Sequence, residues 1–157
     1  MKEKRIATTQ NSRDIRSTSE TLYRAFTDPA ALATWLAPGA MTGKIYNFNL
    51  KVGGGYQMSL FYPSSEKEAR GKTSEKEDSF IARFTELTPY KRIVEAINFD
   101  SPDPAFAGEM IMEVLFEPIS TGTRVTIVFT NIPPGIRPED NVKGTELSLE
   151  KLARYVA

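Results

Sequence analysis

One acidic residue lies where the sequence pattern predicts a buried position. Glu95 shares its side of a predicted strand with Ile97 and Phe99, because alternate residues of a strand face the same way. A carboxylate is costly to bury without a partner. Its chemistry could be that of a polar anchor in a cavity, or of a general acid or base with a raised pKa. A structural ion pair with Arg83 or Arg92, or exposure at a twisted sheet edge, is also open.

The composition limits what any other side chain could do. The 157 residues include no Cys and no His, which excludes a thiol nucleophile, an imidazole acid or base, a Cys/His zinc site and a disulfide. No second titratable group is placed beside Glu95 by the sequence pattern. We therefore predict no catalytic residues, no metal and no cofactor, and favour a binding domain. A cyclase- or hydrolase-like enzyme is kept as an alternative.

Other candidates are aromatic, methionine or small residues on predicted inner faces. Methionines fill irregular space and suit an adaptable pocket, although ordinary core packing is the more usual explanation. Trp35 could line a cavity mouth or lie in the core, and the Tyr56 and Tyr62 hydroxyls could orient a ligand. Gly144 interrupts a helix at a cost of about 1 kcal/mol relative to Ala, which predicts either room for a ligand or close packing. The predicted cavity residues are Trp35, Tyr56, Met58, Phe80, Phe84, Glu95, Ile97, Met110, Met112, Gly144 and Leu149.

Two glycine-containing segments resemble phosphate-binding loops only superficially. Gly53 to Gly55 is not followed by the spacing or the helix of a dinucleotide-binding loop, so we predict a bend or bulge in a curved strand. Residues 71–73, Gly-Lys-Thr, imitate the end of a Walker A motif, but Glu66 occupies the place of its first glycine. We reject that motif and predict a solvated loop for the mixed charges of residues 66–78.

A long helix and a meander of strands must position these side chains. The helix begins at Pro138, and its apolar stripe consists of Val142, Thr145, Leu149, Leu152 and Val156. From about Met41 to Asn131 the chain alternates as strands do. Such a helix must bury its stripe on the sheet, which predicts an α+β fold with the helices on one face of a curved antiparallel sheet.

Two short helices are predicted between a first strand and this meander. Ser17 and Glu20 have the spacing of a capping box at the start of the first helix. Asp28 and Pro29 are suited to the N-cap and first position of the second. We expect one domain over residues 1–157, with residues 1–14 irregular or forming the first strand.

Charge and hydropathy narrow the classes of partner. There are 20 basic and 20 acidic residues, so the net charge of zero argues against nucleic acid or an anionic membrane as the main partner. No segment approaches the ~18 apolar residues of a membrane span. The polar start Met1–Arg5 is not followed by the apolar core of a signal peptide. We expect a cytoplasmic protein, either a monomer or a homodimer.

Five segments, in this order and spacing, resemble a known family. They are YRAFTDPAALATWLAP, KVGGGYQMSL, FTELTPYKRIVEAINFD, EPISTGTRVTIVFTNIPPGIRPED and SLEKLARYV. Together they are similar to Hsp90-ATPase-activator-homologue-like proteins of the START/Bet v 1-like SRPBCC superfamily, from about Ile15 to the C-terminus. The resemblance implies a helix-grip fold, in which a seven-stranded sheet wraps around the C-terminal helix and leaves a cavity. Members bind lipids, hormones or polyketides, or have cyclase-like or chaperone-related roles.

Two departures from the family pattern affect the expected function. The eukaryotic co-chaperone has a separate N-terminal domain with a chaperone-contacting motif, which this sequence lacks, so a chaperone partner is not supported. Relatives often carry His where Asn141 stands, so an imidazole role there is lost. We expect a small apolar or amphipathic ligand between the helix and the sheet, with Glu95 or a tyrosine as its polar contact. A protein-interaction module is the alternative.

Overall fold

A seven-stranded antiparallel sheet and three α-helices make up the computed structural model, which describes residues 7–63 and 77–157. The strands are β1 Thr9–Ile15, β2 Thr42–Asn49, β3 Gly55–Phe61, β4 Glu77–Thr88, β5 Arg92–Phe99, β6 Met110–Ile119 and β7 Gly122–Thr130. The helices are α1 Ser19–Thr27, α2 Pro29–Trp35 and α3 Pro138–Tyr155, with a 3-10 turn at Pro104–Phe106. The predicted α+β helix-grip architecture is confirmed.

The sheet order places the first two strands at opposite edges. The order is β1-β7-β6-β5-β4-β3-β2, with every neighbouring pair antiparallel. Helices α1 and α2 connect the two edge strands β1 and β2. The register shifts between Tyr46 and Asn49 in β2 and between Phe84 and Glu86 in β4. Such bulges increase local twist and help the sheet to curve around α3.

The three consecutive glycines lie in a hairpin turn, so the predicted bend within one continuous strand is wrong. Gly53 has a φ of 88° in the turn between β2 and β3, and β3 begins at Gly55. A Cβ on Gly55 would lie 1.9 Å from the Ala82 carbonyl oxygen of β4. The turn therefore needs glycine for backbone conformation at one position and for close strand approach at another.

The two short helices begin at side-chain caps. For α1 the N-cap is Thr18, whose hydroxyl accepts a hydrogen bond from the Thr21 backbone N–H at 3.1 Å, so the predicted cap at Ser17 is wrong by one residue. For α2 the prediction is confirmed, because the Asp28 carboxylate accepts from the Ala31 N–H at 3.1 Å. Each cap satisfies an N–H that the helix itself leaves unpaired.

Helix α3 buries most of its predicted stripe. Thr145, Leu149 and Leu152 are buried, whereas Val142 is 36% exposed and does not belong to the buried face. The helix contacts β1 and α2. None of the described helices combines the length and apolar character needed to cross a membrane.

The packed core lies where α1 and α2 cover the sheet. The Phe26 ring meets Trp35 at 4.6 Å and Phe116 of β6 at 5.4 Å between centroids, in edge-to-face geometry. The Trp35 indole N–H donates to the Ala25 carbonyl at 2.9 Å. These buried rings fill the space between the sheet and the two helices α1 and α2. Any open space between a helix and the sheet must therefore lie in another part of the molecule.

Candidate functional site

A cavity of about 440 Å³ lies between α3 and the inner face of the sheet. Its sheet wall is mostly apolar and consists of Tyr56, Leu60, Tyr62, Asp78, Phe80, Ile97, Phe99, Met110, Met112, Ile127 and Phe129. Its α3 wall consists of Asp140, Asn141, Gly144, Thr145 and Ser148. Two loops complete it with Leu36, Pro38, Met41, Gly135, Ile136 and Arg137. The volume and apolar character are those of small-molecule sites.

Small residues on α3 leave this space open. A Cβ added to Gly144 would meet no atom within 4 Å, apart from the helix's own backbone and the glycine's chain neighbours. One turn further, Ser148 also has a short side chain on the wall. Nearer the C-terminus, Leu149 and Leu152 are buried in the core. The cavity is therefore confined to the N-terminal part of α3.

A buried tyrosine–carboxylate pair lies at the sheet wall. The Tyr56 hydroxyl is 2.7 Å from Glu95 Oε1, and Glu95 is 1% exposed. Tyr56 pairs with Ala82 of β4, whose small side chain leaves room for the ring to reach diagonally towards β5. The other carboxylate oxygen, Glu95 Oε2, has no hydrogen-bond partner among the described residues. Tyr56 lines the cavity, and Glu95 lies behind it.

Burial shifts the protonation equilibria of this pair. Removal from water raises the pKa of Glu95 from its ordinary value of 4.5 to about 7, with the Tyr56 hydrogen bond acting in the opposite direction. Burial, and then the nearby Glu95 charge, raise the pKa of Tyr56 well above 10.0. Glu95 therefore exchanges a proton near neutral pH while Tyr56 keeps its own.

The interpretation of Glu95 as half of an arginine ion pair is wrong. Arg83 lies 3.7 Å from Glu109, and Arg92 pairs with Glu113, which are partly exposed contacts away from the core. Glu95 lies instead among apolar side chains, and the Tyr56 hydroxyl is its hydrogen-bond partner. Its burial is compensated by one neutral hydrogen bond, which explains the direction of its pKa shift.

A second tyrosine–carboxylate pair lines the cavity directly. The Tyr62 hydroxyl donates to Asp78 Oδ2 at 3.0 Å, and Asp78 is 1% exposed. Burial is the main cause that raises the pKa of Tyr62. The sequence interpretation placed Asp78 in a charged loop and so missed it. The alternation Asp78, Phe80, Ala82 continues the inner face of β4 by one step and could have identified it.

The predicted cavity residues fall into two groups. Those on the wall are Tyr56, Phe80, Ile97, Met110, Met112 and Gly144. Those that are buried in the core or behind the wall are Trp35, Met58, Phe84, Leu149 and Glu95. Trp35, the last residue of α2, packs against Phe26 of α1, and Leu149 lies beyond the open part of α3. The structure thus divides residues that shared the same periodic pattern.

Loop residues on the wall were not found from the sequence. Pro38 and Met41 follow α2, and Gly135 to Arg137 precede α3, where no strand or helix period applies; Leu36, the C-cap of α2, was expected only as part of the buried side of that helix. No group of three or more acidic side chains in the described ranges is arranged to hold a metal ion. Residues 71–73 and most of the charged segment 66–78 lie outside the described residues.

Comparison with known proteins places the chain in a family. The family model for activator of Hsp90 ATPase homolog 1-like protein matches residues 16–157. No protein with a curated functional description matches. A Chromobacterium violaceum protein of known crystal structure is 34% identical, with a TM-score of 0.82, over 95% of this chain and 96% of its own.

More distant structures share the fold. A Rhizobium loti protein is 24% identical with a TM-score of 0.74, covering 96% of both chains. An AHSA1-like protein from Aeromonas hydrophila, solved by NMR, is 19% identical with a TM-score of 0.72, covering 96% of this chain and 92% of its own. With the helix-grip architecture and a family match over nearly the whole chain, this protein belongs to the activator of Hsp90 ATPase homolog 1-like family.

Proposed function

We propose that the protein binds a small apolar or amphipathic molecule in the cavity between α3 and the sheet. The observation that carries the proposal is the cavity itself, about 440 Å³ in volume with a mainly apolar wall. A folded domain normally fills such space with side chains, because the atoms that line a void have no packing partners on one side and stability falls. Here a helix position faces the cavity with glycine, the residue that leaves the most space and favours helix least, apart from proline.

The wall suits a molecule with an apolar body and a small polar group. Met110 and Met112 adapt to irregular apolar shapes. Phe80 and Phe99 offer ring surfaces, with centroids 6.1 Å apart. The hydroxyls of Tyr56 and the half-buried Tyr62 provide polar contacts within this apolar surface. A few polar groups in an apolar pocket are the usual arrangement by which a protein orients a ligand.

Occupying the cavity with a side chain tests the proposal. N-phenyl-1-naphthylamine, a neutral fluorophore that brightens in apolar sites, is titrated into the wild type and into Gly144→Leu. We expect saturable binding to the wild type and an affinity at least about ten-fold lower in Gly144→Leu, equivalent to about 1.4 kcal/mol. Lys143→Leu is the matched control, since it adds the same side chain at the neighbouring, solvent-exposed helix position.

Two results would contradict this function. One is the absence of saturable fluorophore binding to the folded wild type. The other is equal binding by Gly144→Leu and Lys143→Leu, which would place the fluorophore outside the cavity. Native mass spectrometry of the freshly purified protein complements the titration by weighing any molecule that co-purifies.

A protein-interaction role is the second candidate, supported by the family match. The large apolar residues that are exposed in the described ranges lie in turns, on β4 and on α3, and are Leu50, Val52, Ile81, Tyr90, Val142 and Tyr155. The test is the ATP hydrolysis rate of purified Hsp90 with and without the protein. Stimulation that survives Gly144→Leu would support this role over ligand binding, and an unchanged rate would count against it.

A further inference from the structure

Each hydroxyl group on the described cavity wall already donates its proton in a hydrogen bond within the protein. Thr145 Oγ1 donates to the Asn141 carbonyl at 2.8 Å, and Ser148 Oγ donates to the Leu36 carbonyl at 2.6 Å. Since a carbonyl oxygen can only accept, the direction of both bonds is determined. Each of these hydroxyl oxygens therefore has lone pairs, and no proton, left for a molecule in the cavity.

The hydroxyl protons of the two tyrosines on the wall are likewise used in hydrogen bonds within the protein. When Glu95 is ionised, the Tyr56 hydroxyl must donate to it, because a carboxylate only accepts. The Tyr62 hydroxyl likewise donates to the Asp78 carboxylate. All four hydroxyl-bearing residues of the described wall thus present hydrogen-bond acceptors, although one lies on β3, one directly after it and two on α3.

The wall has fewer groups that could donate a hydrogen bond to a ligand. These groups are either exposed to solvent or already take part in hydrogen bonds or ion pairs within the protein. Arg137 has a side chain 76% exposed and an ion pair with Glu139 at 3.5 Å. The backbone N–H groups of Asp140 and Asn141 both donate to the Arg137 carbonyl at 3.0 Å, so they are not free for an anion at the start of α3. Asn141 Oδ1 accepts from Thr9, so the donors left on the described wall are the Asn141 side-chain N–H group and the mostly exposed Arg137 guanidinium.

From this arrangement we propose that the cavity selects ligands whose polar end donates hydrogen bonds, namely a hydroxyl or ammonium group on an apolar body, and discriminates against carboxylates. The inference rests on the proposed ligand-binding function and specifies its ligand class. Tyr56 is the specificity-determining contact, and Glu95 is the positioning residue that holds its proton. A carboxylate placed among these acceptors would lose its hydration without gaining donors, which is costly.

Three ligands with the same alkyl chain test the selectivity. Decylamine, 1-decanol and decanoate are titrated at pH 8 against bound N-phenyl-1-naphthylamine. We expect decylamine and 1-decanol each to bind at least about ten-fold more tightly than decanoate, about 1.4 kcal/mol. Decylamine and decanoate each carry one charge at this pH, so the comparison cancels much of the cost of burying a charge. 1-Decanol shows the preference without any charge.

Glu95→Gln tests whether the buried carboxylate sets the preference. The glutamine amide can donate to Tyr56 Oη, which frees the tyrosine proton for the cavity. The preference for decylamine over decanoate should fall at least three-fold, because a proton donor then faces the ligand and one negative charge is gone. Glu146→Gln, on the exposed face of α3, is the charge-matched control and should keep the wild-type ratio.

Thr145→Val gives a second, independent variant because it removes a wall acceptor with little change in shape. It should weaken 1-decanol binding by a larger factor than decanoate binding, each compared with the wild type. Tighter or equal binding of decanoate to the wild type, relative to 1-decanol and decylamine, would overturn the donor selectivity while fluorophore binding still upheld the cavity. Failure of the fluorophore itself to bind would instead refute the proposed function.

Discussion

The protonation of Glu95 should make the stability of this protein depend on pH. The relevant quantities are the pKa of about 7 in the folded protein and the ordinary value of 4.5 that applies in the unfolded chain. Since the folded state binds the proton more tightly, the stabilisation from this group is complete below about pH 4.5 and is lost as pH rises through about 7. A ten-fold difference in proton affinity is about 1.4 kcal/mol, so the loss amounts to about 3 kcal/mol.

Glu95→Gln should abolish this loss. The neutral amide resembles the protonated carboxyl and keeps a hydrogen bond to Tyr56 by donating to its Oη, although the amide oxygen gains no described partner at the Oε2 position. That second effect lowers stability at every pH and does not alter the slope. We therefore compare the change in the free energy of unfolding between pH 4.5 and 8. The fall should be about 3 kcal/mol smaller in Glu95→Gln than in the wild type.

Urea denaturation at both pH values measures this difference. Each unfolding curve gives a free energy by linear extrapolation, and the wild-type change with pH is compared with that of each variant. Glu146→Gln removes an exposed carboxylate from α3 and should retain the wild-type pH dependence. Identical pH dependence in the wild type and Glu95→Gln would refute the assignment of a buried, proton-binding Glu95.

Three substitutions test the packing around the cavity. Gly144→Ala should raise the free energy of unfolding by about 1 kcal/mol in urea, since an added Cβ meets open space and alanine favours helix; a destabilised variant would contradict this. Trp35→Phe should lower the free energy of unfolding by about 2 kcal/mol, because the hydrogen bond to Ala25 is lost and a space is left behind. The fluorophore affinity should stay unchanged, and weaker binding would show that Trp35 belongs to the cavity after all. Gly55→Ala should cost about 3 kcal/mol or more, seen as a lower melting temperature, because its Cβ would collide with the Ala82 carbonyl; wild-type stability would show that β3 and β4 can separate freely.

The identities of the inner-face residues were largely predictable because strand alternation is a local property. Tyr56, Phe80, Ile97 and Met112 share an inner face by their period of two, and all four lie on the cavity wall. Met58 follows the same period but is fully buried in the core. The period tells which way a side chain points and says nothing about whether helix, loop or empty space lies opposite.

The partner of Glu95 shows why pairings were harder to predict. The expected arginines were close in sequence, whereas the partner is Tyr56, 39 residues away and separated from β5 by the whole of β4. The bond depends on the small Ala82 side chain lying between the two strands and on the register that aligns them. Register arises from the assembled sheet, so no short stretch of sequence contains it.

The resemblance to a known family implied the helix-grip architecture, and the sequence pattern by itself determined the element types, the α+β class and the inward orientation of Glu95. Local propensities, caps and hydrophobic periods carry that information. Two features depended on the tertiary structure alone. One is the point near Gly144 where the side chains of α3 no longer fill the space against the sheet, and the other is which hydroxyl groups of the wall already donate hydrogen bonds within the protein. A cavity and its hydrogen-bonding character are properties of surfaces that meet from distant segments, and they exist only once the sheet has curved around α3.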